Sequence, residues 1–211
     1  PGKGALTLLL SKQVKLITAV EIDPKLVSLL KNTMPKNIII QQGDILKFDP
    51  KVLGANYKII GNLPYYITTK IIFKFLKIYG CKQMTILVQK EVADRITANP
   101  GNRIYGRLSI MVQASSVVKK HFNIPATAFY PKPKVDSTLI SLFPRNLKIK
   151  HEKLFNNIVK SAFNKRRKMI KNSLKEYLTE KQVKELGNYR PEELTIQQFI
   201  NISDSCMHIT K

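Results

Sequence analysis

The chain has 211 residues, 44% hydrophobic and 24% charged, enough to bury one good-sized core with a smaller appendage, and this composition excludes a disordered chain. Lys and Arg number 36 against 14 Asp and Glu, a net charge of +22, which points to a polyanionic partner because each cation set against a phosphate releases condensed counterions. No apolar run reaches the roughly 20 residues of a membrane helix, and Cys81 and Cys206 lack metal-ligand spacing, so a soluble, metal-free protein of a reduced, cytoplasmic setting is expected.

In chain order, Pro1-Gly2-Lys3-Gly4-Ala5 is a glycine turn leading into a helical run over residues 6–10. Residues 15–20 form a short apolar strand ending at Glu21 and Asp23, and Pro24 opens a helix to about Asn32. Ile38-Ile39-Ile40 is a strand ending at Gly43-Asp44, and residues 57–61 form another ending at Asn62. Thr68 or Thr69 is placed to cap a helix whose apolar positions, Ile71, Ile72, Phe75, Leu76 and Tyr79, recur at helical spacing. Residues 84–88 read as a strand, 91–97 and 107–114 as helices, and 117–124 and 137–143 as two late strands separated by a proline-rich loop. Apolar strands alternating with helices predict an α/β fold, a mostly parallel sheet with helices on both faces. From about Arg145 the pattern is helical only, which predicts a small all-helical domain over 145–211 behind a main domain over 1–144.

Ligands of open α/β sheets bind beyond the carboxyl ends of the strands, so those ends carry the functional reading. Glu21 stands nineteen residues past Gly2, the spacing at which an acid grips a ribose hydroxyl pair, although a common Gly-x-Gly turn and a solvated strand end would look the same. Thr7 stands where a dinucleotide site wants its third glycine, which favours a nucleoside-bearing cofactor over NAD. Asp44 is placed to accept from an exocyclic amine, or simply to form a turn. The next strand ends in Asn62-Leu63-Pro64-Tyr65, an amide, a rigid carbonyl and an aromatic plate.

This combination resembles the S-adenosyl-L-methionine-dependent methyltransferases that modify adenine N6. The N6 lone pair is delocalised into the ring. The Asn62 amide oxygen and the Leu63 carbonyl can accept its two N–H groups and push the nitrogen toward a tetrahedral geometry. Pro64 holds that carbonyl rigidly, and Tyr65 can stack on an unstacked base.

Four further stretches narrow the resemblance: Gln89-Lys90-Glu91-Val92-Ala93-Asp94-Arg95, Tyr105-Gly106-Arg107-Leu108-Ser109, Pro131-Lys132-Pro133-Lys134-Val135-Asp136-Ser137 and Ala162-Phe163-Asn164-Lys165-Arg166-Arg167-Lys168. In their order and spacing the chain is similar to the small-subunit ribosomal RNA adenine dimethyltransferases along essentially its whole length. The resemblance implies a Rossmann-like class I methyltransferase sheet and transfer of two methyls to each of two adjacent adenosines near the 3′ end of small-subunit (16S) rRNA. The substrate it implies is an immature 30S-type particle late in assembly, met by a monomer. It implies cofactor contacts from Gly2, Gly4, Glu21, Ile22, Asp44, Ile45 and Asn62. Asn62, Leu63, Pro64 and Tyr65 match the catalytic element, and Phe129 the aromatic covering the target adenine opposite Tyr65. It also implies a segment ahead of Pro1, so an N-terminally incomplete chain is expected. The alternatives are a catalytically silent rRNA-binding assembly factor and a large-subunit rRNA adenine methyltransferase of the macrolide-resistance type.

The charge is uneven. Residues 144–175 hold eleven basic side chains and one acid, a net of +10, whereas 176–211 hold four basic and six acidic, a net of −2. Lys165, Arg166, Arg167, Lys168 and Lys171 are read as one solvent-facing side of a helix whose apolar side is Phe155, Ile158, Val159, Ala162, Phe163 and Met169-Ile170. They are expected to contact rRNA phosphates, with Arg107 and Lys134 joining them. His121, His151 and His208 form no constellation.

Overall fold

The structure, a computed structural model, describes residues 1–77 and 80–206. The chain opens with helix α1 (Ala5–Ser11), strand β1 (Ile17–Glu21), helix α2 (Pro24–Thr33), strand β2 (Ile38–Gln42), strand β3 (Tyr57–Asn62) and helix α3 (Tyr65–Leu76). Strand β4 (Cys81–Gln89), helices α4 (Lys90–Thr97) and α5 (Arg107–Ser115), and strands β5 (Ser116–Ile124) and β6 (Ser137–Pro144) follow. Helices α6 (Glu152–Asn164), α7 (Ile170–Ser173), α8 (Glu180–Leu186) and α9 (Ile196–Cys206) complete it. The chain divides into two compact units, one of residues 1–57 and 66–80, the other of 58–65 and 81–211.

In the first unit β1 and β2 pair in parallel, from Ile17 against Ile38 to Glu21 against Gln42. Asp23 accepts the Lys25 N–H at 2.8 Å and caps α2, and Pro24 supplies the helical φ at its first position. Helix α2 buries Val27 and Leu30. The Asn37 amide donates to the carbonyls of Ser11 (2.8 Å) and Val14 (3.2 Å), tying the end of α1 to the start of β2. Helix α3 begins at Tyr65, earlier than a Thr68 or Thr69 cap would have it, because Pro64 brings a ready-made φ to the helix start and needs no donor there. Its positions Ile71, Ile72, Phe75 and Leu76 are buried at the helical spacing, and Tyr79 lies outside the described residues.

The second unit holds a four-stranded sheet in the order β3-β4-β6-β5. Strand β6 runs antiparallel to both neighbours, with Ile86 against Ile140 on one side and Val118 against Leu142 on the other. The mostly parallel sheet expected from the alternation is therefore a mixed one. The loop from Ile124 to Ser137 carries no long crossover helix, and so it returns the chain antiparallel. Met84, Ile86, Val88, Ile140 and Leu142 are fully buried and line one sheet face. The opposite face carries a polar row in which Thr85 Oγ1 lies 2.8 Å from Ser141 Oγ, and His121 Nε2 lies 2.9 Å from the same hydroxyl.

The division expected at 144/145 does not separate compact units. One hydrophobic core takes Tyr105, Ile110 and Ala114 of the α5 region together with Phe155, Ile158, Val159, Ala162, Ile170 and Phe199 of the later helices. A helical tail of this size gains most of its stability by burying its apolar stripes against a neighbour, and α5 provides that surface. The basic run is also corrected. Helix α6 ends at Asn164, and Lys165 to Lys168 form a turn closed by the Lys168 N–H donating to the Lys165 carbonyl at 2.8 Å. The chain has to turn there so that Ile170, fully buried, can enter the core; only Lys171 of the five cations lies on a helix, α7.

Candidate active site

In the first unit the strand ends converge on Glu21. Gly2 and Gly4 sit at φ 60° and 86°, in the left-handed region that suits glycine, and Gly4 caps α1. The turn they make aims the Gly2 N–H at Glu21 Oε2, 3.1 Å away, while Glu21 Oε1 accepts from Ile22 (2.9 Å) and Asp23 (3.0 Å). Burial pushes this carboxyl up, but the N–H groups of Asp23, Gly2 and Ile22 outweigh it and hold the pKa below its ordinary 4.5. An ionised acceptor is thus fixed at the end of β1. Next to it the Gly43 N–H donates to the Glu21 carbonyl at 2.8 Å.

Asp44 does form the turn that its position allowed, because Oδ1 accepts from the Leu46 N–H at 2.8 Å and its carbonyl accepts from Lys47 and Phe48. Oδ2 takes no part in that turn. Ile45 is half-buried, and Ile22 is exposed. Lys74 of α3, for which the sequence holds no signal, reaches the carbonyls of Leu46 (2.7 Å) and Phe48 and ties this loop down.

In the second unit Asn62 ends β3. Its side chain is exposed and makes no hydrogen bond with any described residue, so the amide is available to a ligand. Leu63 is half-buried and folds back beneath Gly61, where a Cβ would lie 2.9 Å from Leu63 Cδ2; Pro64 follows, exposed. The half-buried Tyr65 has its hydroxyl 2.7 Å from the Oγ of Ser137, the fully buried first residue of β6. Phe129, also half-buried, follows a single 3₁₀ turn, Ala126–Ala128, whose Ala126 N–H donates to Asp136 Oδ1 at 2.9 Å.

The cations divide into two kinds. Lys165, Arg167, Lys168, Arg107 and Lys134 are exposed and pair with no described residue. Arg166 is committed, donating to the Arg103 carbonyl and facing Glu192, and Lys171 Nζ donates to Asn188 Oδ1 at 2.9 Å. Lys134 lines a groove of about 500 Å³ with Lys90, Arg95 and the acids Glu91, Asp94 and Asp136. There the Lys120 ammonium, 2.6 Å from Asp94, is the main cause holding that carboxyl below its ordinary value. Among the described residues no cluster of His, Cys, Asp and Glu could hold a metal ion, and no helix is long and apolar enough to cross a membrane. Cys81 and Cys206 are buried thiols. His121 serves the sheet, His151 precedes α6, and His208 lies outside the described residues.

Strand ends carrying a glycine turn, two acids and Asn-Leu-Pro-Tyr on an α/β scaffold define a class I, S-adenosyl-L-methionine-dependent methyltransferase. Two solved structures share the fold. A dimethyladenosine transferase from Plasmodium falciparum aligns with a TM-score of 0.82 at 24% identity, over 95% of this chain and 85% of its own. The 23S rRNA methyltransferase ErmE aligns with a TM-score of 0.72 at 23% identity, over 97% and 88%. The model of the ribosomal RNA adenine dimethylase family matches residues 1–207, and the chain belongs to that family. Relatives named ribosomal RNA small subunit methyltransferase A include one from Caldanaerobacter subterraneus, 40% identical over 100% of this chain and 85% of its own length. Another, from Nitrosospira multiformis, is 37% identical over 97% and 82%, and one from Malacoplasma penetrans is 43% identical over 89% and 70%.

Proposed function

We propose that the chain transfers methyl groups from S-adenosyl-L-methionine to N6 of two adjacent adenosines near the 3′ end of small-subunit (16S) rRNA, leaving N6,N6-dimethyladenosine at both. The substrate is an immature 30S-type particle in the cytoplasm, and the enzyme acts as a monomer. The observation that carries this reading is the exposed Asn62 amide, unpartnered among the described residues, ending β3 beside Leu63-Pro64 and a tethered Tyr65. The family membership and the small-subunit names of the relatives support the same substrate.

The residues of the first unit fit a nucleoside-bearing cofactor: ionised Glu21 for the ribose hydroxyls, the Gly2–Gly4 turn for close backbone approach, and Asp44 Oδ2 for an exocyclic amine, with Ile22 and Ile45 as apolar neighbours. When bound, that cofactor supplies an electrophilic methyl group on a sulfonium sulfur.

Asn62 Oδ1 and the Leu63 carbonyl accept hydrogen bonds from the two N6–H groups and bring the nitrogen toward a tetrahedral geometry, freeing its lone pair. Tyr65 and Phe129 stack on the two faces of the extruded base, which replaces the stacking lost in its strand. As the nitrogen takes the methyl, the methyl–sulfur bond would break with its electron pair left on a neutral thioether; the positive charge passes to nitrogen, and the now acidic N–H gives its proton to solvent, so no strong base is needed. The monomethylated N6 keeps one N–H, and a second transfer replaces it. Lys165, Arg167, Lys168, Arg107 and Lys134 hold rRNA phosphates and set register without reading sequence.

The test uses labelled S-adenosyl-L-methionine and small subunits lacking the modification, with nucleoside identification after digestion. Dimethyladenosine at two adjacent positions is the expected product. Tight subunit binding without transfer would favour a silent assembly factor, and label on large-subunit RNA alone would favour the resistance-type activity.

A further inference from the structure

The two aromatic rings proposed to hold the target adenine lie far apart in sequence, yet both are anchored to one dipeptide. We infer that Asp136-Ser137 positions both rings, Ser137 by fixing the Tyr65 hydroxyl and Asp136 by pinning the turn that carries Phe129; the inference rests on the adenine-N6 reading above.

Ser137 is fully buried and is the first residue of β6. It pairs with Gln89 of β4 on one side and Ile124 of β5 on the other, so its backbone is held from both flanks. The hydroxyl is therefore a fixed point, and it lies 2.7 Å from the Tyr65 phenol. A tyrosine ring has two rotatable bonds, and anchoring its far end removes both freedoms. Tyr65 stands at the first position of α3, directly after Pro64, so both ends of the side chain are then set.

Asp136 acts on the other ring through the backbone. Its Oδ1 accepts the Ala126 N–H at 2.9 Å, and its own carbonyl accepts the Lys90 N–H at 2.9 Å. The 3₁₀ turn Ala126–Ala128 is thereby held at its first residue, and Phe129 leaves that turn with its N–H on the Ala126 carbonyl at 3.3 Å. The contact joins a side-chain oxygen to the backbone, so it fixes the turn and not merely a side chain. The spacing of the two plates is thus set by residues that need not touch the base. Asp136 and Ser137 are positioning residues, while Tyr65 and Phe129 are the contacts.

The test measures methyl transfer to unmodified small subunits by the intact chain, with kcat and KM determined separately and thermal unfolding followed alongside. Ser137→Ala and Tyr65→Phe each lower kcat about five- to tenfold, the worth of one well-placed hydrogen bond, with KM for the subunit unchanged. The double variant is no worse than either single one. Asp136→Ala loses activity that Asp136→Asn, which keeps the acceptor oxygen, restores. Multiplying losses in the double variant, or full activity in Tyr65→Phe, would overturn the proposal. Tyr65→Phe removes the same bond with Ser137 untouched, so the test is decisive even if Ser137→Ala does not fold. An inactive wild type would instead overturn the adenine-N6 reading and this inference with it, a result distinct from active wild type with indifferent variants.

Discussion

The partly exposed Arg166 guanidinium faces Glu192, with Nε 3.6 Å from Oε2, while a second nitrogen donates to the Arg103 carbonyl. Gly101 donates its N–H to the Glu192 carbonyl at 2.8 Å, so the same two residues hold the loop leading to Tyr105. Its neighbour Arg167 is exposed and pairs with no described residue. Two adjacent arginines thus differ in their partners among the described residues. Arg166→Gln is expected to lower the melting temperature by a few degrees, at about 2–4 °C per kcal/mol for a chain of this size, because it strands a partly buried carboxylate and frees the loop. Arg167→Gln is expected to leave melting unchanged and to flatten the log–log salt dependence of RNA binding by about 0.7–0.9 per phosphate contact. Equal effects of the two substitutions on the salt slope would refute the division.

Asn62→Ala separates chemistry from binding. The amide makes no hydrogen bond with any described residue, so the variant is expected to keep its stability and its affinity for small subunits. Methyl transfer falls by about 10²–10³-fold, the usual cost of removing one preorganised polar group from a reacting centre. Filter binding and single-turnover transfer on the same preparation check this, and parallel losses of both would sink the role of Asn62.

The two glycines of the first turn differ in what an added methyl meets. At Gly4, φ is +86° and a Cβ would run into Met34 Cε and lie 2.7 Å from Leu30 Cδ2; at Gly2, φ is +60° and no atom lies within 4 Å. Gly4→Ala carries both backbone strain and a clash with these two side chains, and Gly2→Ala the strain alone, about 1–2 kcal/mol. Urea denaturation is expected to rank Gly4→Ala clearly below Gly2→Ala, with the wild type highest.

Glu21 makes the Gly2–Gly4 turn pH-dependent. Its folded pKa lies below the ordinary 4.5, so the ionised carboxylate stabilises the fold above that value, and the contribution disappears as pH falls through the lowered folded pKa. The stability difference between wild type and Glu21→Gln should stay level from about pH 6 to 8 and shrink below the ordinary carboxylate pKa. Melting curves across that range measure it, and a difference that is already shrinking between pH 6 and 8 would contradict the assignment.

The strand ends at Glu21, Asp44 and Asn62 are readable in the sequence because short apolar runs and turn residues are local signals. The Asn-Leu-Pro-Tyr element is readable for the same reason: Pro64 constrains its neighbours whatever the rest of the chain does. The start of α3 is easily misplaced, since a threonine inside the first turn looks like a cap when Pro64 is not counted. The helical reading of Lys165 to Lys168 fails differently. Those residues suit a helix well enough, but the core requires Ile170 inside, and packing overrides propensity.

What the sequence by itself determined is the chemistry on offer: a strongly basic surface from charge, the α/β class from period, and an amide, a rigid carbonyl and an aromatic ring from a few adjacent residues. What only the tertiary structure decided is how those groups are held. Tyr65 meets Ser137 across 72 residues and Arg166 meets Arg103 across 63. A hydroxyl, a guanidinium or a lysine such as Lys74 is silent about its partner until the backbone folds. Hydrogen bonds depend on distance and angle in space, and only burial of the apolar faces brings such distant segments together.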